Sequence, residues 1–211
     1  DGHVMFVRRE RATGRRPSSD EMTSQMIESD GLTGPWYPEA ISEPLSFATE
    51  QRFEPVPDGQ ESSTDVFRAA IFMSPLDVHV NRSPLAASIE RMEHRTGIGR
   101  RRGPFLPAMK KESEHNERVR TVLLGEDDLR VEVLQISGAL ARTIVPWMGV
   151  GDELRRGQRF GMIRLGSRVD IRVPAKLFYP VVESAESGNP DLPKGQFVQA
   201  GSTILFRNVG E

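Results

Sequence analysis

Ser167 follows a glycine, and the pair Gly166-Ser167 stands inside Arg164-Leu165-Gly166-Ser167-Arg168-Val169-Asp170. A serine hydroxyl is a weak nucleophile until a base takes its proton. The segment Ser74-Pro75-Leu76-Asp77-Val78-His79 offers an imidazole with a carboxylate two positions before it. On an extended strand those two side chains share one face. The carboxylate of Asp77 would then orient the ring of His79, and the ring would move a proton to and from a hydroxyl. A histidine in an apolar stretch also serves as a satisfied structural residue. Arg100-Arg101-Arg102 is either a solvated loop or a guanidinium cluster that grips a phosphate bidentately. Arg8, Arg9, Arg11, Arg15 and Arg16 form a second basic patch, read as a solvated arm or as a contact with anionic lipid head groups.

The elements that would carry these groups read mainly as strands. Val169, Ile171 and Val173 alternate with Asp170 and Arg172, the pattern of a half-buried strand. Gly157–Ile163 leads into it, so two β segments meet at Gly166-Ser167. By itself this pattern also fits a β-bulge with a solvated serine. Further strands are expected over residues 67–72, 89–93 and 178–182, and residues 198–205 end the domain. Residues 119–124 and 129–136 read as a hairpin closed by Gly125-Glu126-Asp127-Asp128. Residues 1–40 read as an arm or linker and residues 41–211 as a single domain. The fold class expected is α+β, mainly β, with antiparallel or mixed sheets and a loosely structured N-terminal arm.

Composition narrows the function. Of 211 residues, 15 are proline and 19 glycine, which favours a loop-rich β protein over a helical bundle. A net charge of −2 argues against a general nucleic-acid binder. Cysteine is absent, which removes disulfides and thiolate metal sites. No apolar run reaches the roughly 18 residues that a membrane-spanning helix needs.

Four motifs, in order, carry a resemblance. They are Phe72–Pro84, Glu112–Arg118, Val133–Arg142 and the stretch around Gly166-Ser167. From about Val66 to the C-terminus the chain resembles the phosphatidylserine decarboxylase family in its short bacterial and archaeal form. The resemblance implies that the Gly166-Ser167 bond cuts itself and that Ser167 becomes a covalent pyruvoyl group, with His79 and Asp77 as catalytic partners. It also implies that Asn81, Arg82, His115 and Asn116 surround the substrate, and that Arg100, Arg101 and Arg102 stand where a phosphate would be read. Glu43-Pro44-Leu45-Ser46-Phe47 stands where the family has Ser-Pro-Ala-Asp-Gly, with Ser46 in the aspartate's place. Gly201-Ser202-Thr203 imitates the cleavage signature of the long form but lacks the segment that should follow it.

The implied activity is decarboxylation of phosphatidylserine to the ethanolamine lipid. The electron-sink role that pyridoxal phosphate plays elsewhere would fall to the pyruvoyl group, so neither a lysine Schiff base nor a metal is required. The implied partners are a phospholipid at the cytoplasmic face of a membrane and the two cleavage fragments held together, with homo-oligomers left open. Two rivals remain: a decarboxylase of a related serine lipid or small amino acid, and an unprocessed lipid-binding or scaffold protein.

Overall fold

The computed structural model describes residues 1–13, 52–95, 116–138, 143–164, 166–191 and 194–210. In chain order the strands are β1 (Gly2–Thr13), β2 (Arg52–Pro55), β3 (Asp65–Met73), β4 (Val80–Arg82), β5 (Ala87–Arg95), β6 (Arg118–Leu124), β7 (Arg130–Ile136), β8 (Ile144–Pro146), β9 (Glu153–Leu154), β10 (Arg159–Ile163), β11 (Ser167–Pro174), β12 (Phe178–Pro180), β13 (Phe197–Val198) and β14 (Phe206–Asn208). A large sheet runs β13-β1-β3-β11-β7-β6-β5-β9, with β2 also paired to β1. A three-stranded sheet has the order β4-β10-β8, and β12 pairs with β14. Each pairing among the described residues is antiparallel. Helical structure there is confined to 3-10 turns, Glu126–Asp128 and Ala185–Ser187. The mainly β expectation therefore holds, and the hairpin over 118–136 closes where its turn residues predict.

β11 occupies the middle of the large sheet, between β3 and β7. Its alternation predicted one solvated face, yet both faces are buried. The inner face carries Ser167, Val169, Ile171 and Val173, and the three apolar residues join Met73, Val131 and Val133 in the core. Arg168, Asp170 and Arg172 point the other way, into a buried array of ion pairs. Arg68 Nε and Arg168 Nε donate to Asp170 at 2.8 and 2.7 Å. Glu132 accepts from Arg120 Nε at 2.7 Å and also from Arg172. Glu10 joins the array through Arg68 and Arg172, at 3.3 and 3.4 Å. Alternation of charged and apolar residues signals a solvated face only when the charges lack partners in neighbouring strands. Here Asp170 and Arg172 meet opposite charges on neighbouring strands and Arg168 pairs with Asp170 along β11, so the face closes.

Residues 2–13, assigned from sequence to the arm, form a strand integral to this sheet. Val4 and Phe6 are buried, and the arginines that suggested solvation are engaged. Arg8 pairs with Glu186 at 2.9 Å, while Arg9 and Arg11 reach the buried Asp65 at 2.9 and 2.7 Å. Arg15 and Arg16, with the rest of the expected arm, lie outside the described residues.

Candidate functional site

Gly166 stands at a corner between two sheets. β10 ends at Ile163 in the three-stranded sheet, and β11 begins at Ser167 in the large one. Arg164 N–H anchors the crossing by donating to Thr143 O at 3.0 Å. Gly166 has φ of 66°, in the left-handed region that a side chain disfavours. Here the glycine is the corner itself, and β11 starts with a buried serine.

His79 meets this corner. Gly166 N–H donates to His79 Nε2 at 2.9 Å, and His79 Nδ1 lies 2.7 Å from the carbonyl oxygen of Asp77. A backbone N–H can only donate, so Nε2 must carry a lone pair and Nδ1 must carry the proton. The ring is thus held neutral, with its basic nitrogen aimed at the Gly166-Ser167 step. Ile163 N–H donates to His79 O at 3.1 Å, tying the same residue to β10.

Asp77 enters this geometry differently from the expectation. Residues 74–79 form a turn rather than an extended strand, with Asp77 N–H donating to Ser74 O at 2.9 Å. The Asp77 carboxylate accepts from Ser74 N–H at 2.7 Å, closing the turn. Its backbone carbonyl, not its side chain, faces the imidazole. The proline at position 75 fits a turn better than a ladder, because it has no N–H to give.

On the inner face of the large sheet, polar groups gather beside Ser167. Met73 pairs with Ser167, and Gln135 pairs with Val169, so all four side chains share that face. Ser137 lies two residues beyond Gln135 on the same side. Ser167 Oγ, Ser137 Oγ and Gln135 Oε1 are buried without a hydrogen-bond partner among the described residues. Gln135 Nε2 donates to Asn81 Oδ1 at 2.6 Å, which fixes the amide. Buried polar atoms are normally satisfied, so a cluster of three unpaired ones on one face marks a place prepared for something polar.

A cavity of about 500 Å³ continues along this face. Met73, Val133, Val169, Ile171 and Val173 line its floor, and residues 198–206 form its opposite wall. Asn81 and Arg82, both expected to contact substrate, also line it. Arg82 Nη1 donates to Gly157 O at 2.8 Å, which holds the side chain at the rim. Asn116 is buried and donates to Ser137 O at 2.8 Å, so it braces the backbone beside the polar cluster. His115, Arg100, Arg101, Arg102 and Ser46 lie outside the described residues. Gly201-Ser202-Thr203 forms an exposed turn after Gln199, with Ser202 N–H and Thr203 N–H both donating to Gln199 O.

Comparison with known proteins agrees with these motifs. The sequence profile described as "Phosphatidylserine decarboxylase" matches residues 40–206. The chain belongs to the phosphatidylserine decarboxylase family. It is 43% identical over 161 residues to a phosphatidylserine decarboxylase proenzyme of Thermobifida fusca, covering 75% of this chain and 62% of that protein. Against the proenzyme of Streptomyces coelicolor it is 44% identical over 142 residues, 67% of this chain and 56% of that protein. A putative archaetidylserine decarboxylase proenzyme of Methanococcoides burtonii is 41% identical over 117 residues, 56% of this chain and 53% of that protein. The chain therefore spans between half and two thirds of the length of these relatives. No solved structure matches.

Within this phosphatidylserine decarboxylase family chain, reasoning from sequence missed Gln135 and Ser137 as site residues. Both lie in the motif Val133–Arg142, but nothing local distinguishes their side chains from those of an ordinary strand. Their place beside Ser167 follows from β7 pairing with β11, across more than thirty residues of sequence.

Proposed function

We propose that this protein cuts itself at Gly166-Ser167 and then decarboxylates a serine phospholipid at a membrane surface. One observation carries the proposal: the left-handed Gly166 gives its N–H to an unprotonated His79 nitrogen, next to a buried Ser167 hydroxyl with no partner among the described residues. His79 Nε2 needs to move from the Gly166 N–H to the neighbouring hydroxyl to act as base. Such bonds often form only as the reaction begins. Ser167 Oγ then attacks the Gly166 carbonyl carbon, its proton passing to His79. The Gly166–Ser167 C–N bond breaks, the nitrogen gains a proton, and an ester joins the two residues.

Loss of the Ser167 α-proton expels the Gly166 carboxylate, leaving an enamine that water converts to a ketone with release of ammonia. The residues fit a pyruvoyl group at this point. It would replace the unpaired hydroxyl, and Ser137 Oγ and Gln135 Oε1 would stand beside it as polar partners for a head group. When formed, the pyruvoyl group supplies a ketone that accepts the electrons released by carbon dioxide loss from an amine-bearing substrate. The chain's own residues orient that substrate, with Asn81 and Arg82 on the cavity wall and His79 able to return a proton. Asp77 serves as a positioning residue that fixes the turn and the ring tautomer.

Several relatives are named for lipids, and the cavity on the serine's face is largely apolar, which supports a lipid over a free amino acid. No helix among the described residues is long and apolar enough to cross a membrane. Association with the cytoplasmic face would then be peripheral for the part described. Intact-mass spectrometry tests the first step. Cleavage at Gly166-Ser167 gives pieces of 166 and 45 residues (211 minus 166), the smaller resistant to Edman degradation. A wild-type chain that stays whole for days at neutral pH would refute self-processing and favour the scaffold reading. His79→Ala is expected to remain uncut.

A further inference from the structure

The apolar cavity runs along β11 from the same face as Ser167, and this arrangement says what it is for. Side chains on one face of a strand succeed each other every two residues, about 7 Å apart. Ser167 is followed on that face by Val169, Ile171 and Val173, all of which line the cavity. Native β cores interdigitate with few voids larger than a water molecule. A cavity of about 500 Å³ in such a core lies within the range of dedicated ligand sites. Its floor is hydrocarbon: Met73, Val131, Val133, Val169, Ile171 and Val173. The polar residues of its lining include Asn81, Arg82, Arg156, Ser202 and Thr203, together with the acidic Asp1. The order along the sheet is therefore nucleophile, unpaired polar atoms, then a hydrocarbon chamber with cationic groups at its edge.

We propose that this cavity holds an acyl chain of the substrate, with Arg82 and Arg156 at the phosphate. The proposal rests on the decarboxylase reading above. It makes the protein an enzyme that draws its lipid partly out of the bilayer, and it explains selection against free serine by the energy of burying a chain. Leu205 lies on the opposite wall, half-buried and packed against the core, so a larger side chain there narrows the chamber without opening the sheet. Ile204 offers a second apolar position in the lining.

The test uses the processed protein and single-chain lipids kept below their micelle concentrations. Calorimetric titration with lysophosphatidic acids of increasing chain length, which have no amine to react, reads the cavity alone. Affinity should rise roughly three- to fourfold per added methylene until the chamber is filled. Turnover of lysophosphatidylserines should rise in parallel. Leu205→Trp and Ile204→Trp should each cut kcat/KM for the longest chains at least tenfold, leaving self-cleavage and glycerophosphoserine turnover unchanged. Binding that ignores chain length, or long-chain affinity untouched by both tryptophans, would overturn the proposal. Chain-dependent binding with no decarboxylation would keep the cavity as an acyl site and overturn the decarboxylase reading. Turnover without chain dependence would do the reverse.

Discussion

In the proposed reaction Gly166 and Ser137 would act through different physical constraints, and their variants should fail differently. Gly166→Ala puts a Cβ into a left-handed conformation, at a cost of about 1 kcal/mol. Apart from its chain neighbours, the heavy atoms among the described residues that this Cβ would meet within 4 Å belong to the Pro75 ring, at 3.7 and 3.9 Å, so space is not the obstacle. Cleavage should slow as the corner relaxes, while the thermal midpoint moves by only a few degrees; a time course by electrophoresis follows it. Ser137→Ala removes a buried hydroxyl that has no partner among the described residues. Stability should hold or rise by up to about 1 kcal/mol, and KM for the serine lipid should increase severalfold. A Ser137→Ala enzyme with unchanged KM would leave that hydroxyl without a part in head-group binding. His79 was legible in sequence because an imidazole near a carboxylate stands out. The carbonyl that actually faces it was not, since every residue has one and only the turn decides where it points.

At the level of strands, β11 shows how alternation can mislead. Arg168, Asp170 and Arg172 looked like solvent-facing residues, but Asp170 pairs with Arg68 on β3 and Arg172 with Glu10 on β1 and Glu132 on β7, too far along the chain for a local pattern to reveal. Burial alone would raise the Glu132 carboxyl, yet the guanidiniums of Arg120 and Arg172 overcome this and hold it down at about 2. Asp170 is likewise held well below the usual carboxylate range, burial being outweighed by Arg168 and Arg68. A depressed carboxylate contributes stability that is complete above its ordinary value of 4.5 and is lost as pH falls toward about 2. The melting temperature should therefore be flat near neutrality and drop steeply below about pH 4.5. Glu132→Gln leaves Arg120 and Arg172 short of an anion and should cost about 3 kcal/mol in urea unfolding at pH 7. Its acid-induced drop should be shallower than that of the wild type, because the titrating group is gone.

Considered whole, the molecule places the proposed cut between two sheets, and the smaller piece would be built into both sides of the larger one. Residues 167–211 contribute β11 between β3 and β7, and also β13 against β1. In the order β13-β1-β3-β11, two strands of the larger piece are clasped by two of the smaller. Arg8 adds a paired contact to Glu186 across the same boundary. Releasing the smaller piece would require opening three ladders, β13 with β1 and β11 with both β3 and β7, and exposing the charged array at once. Each molecule would thus keep its original partner for life. If isotopically heavy and light preparations are mixed after processing, native mass spectra should show parental pairings only, with hybrids emerging after denaturation and renewal of the fold together.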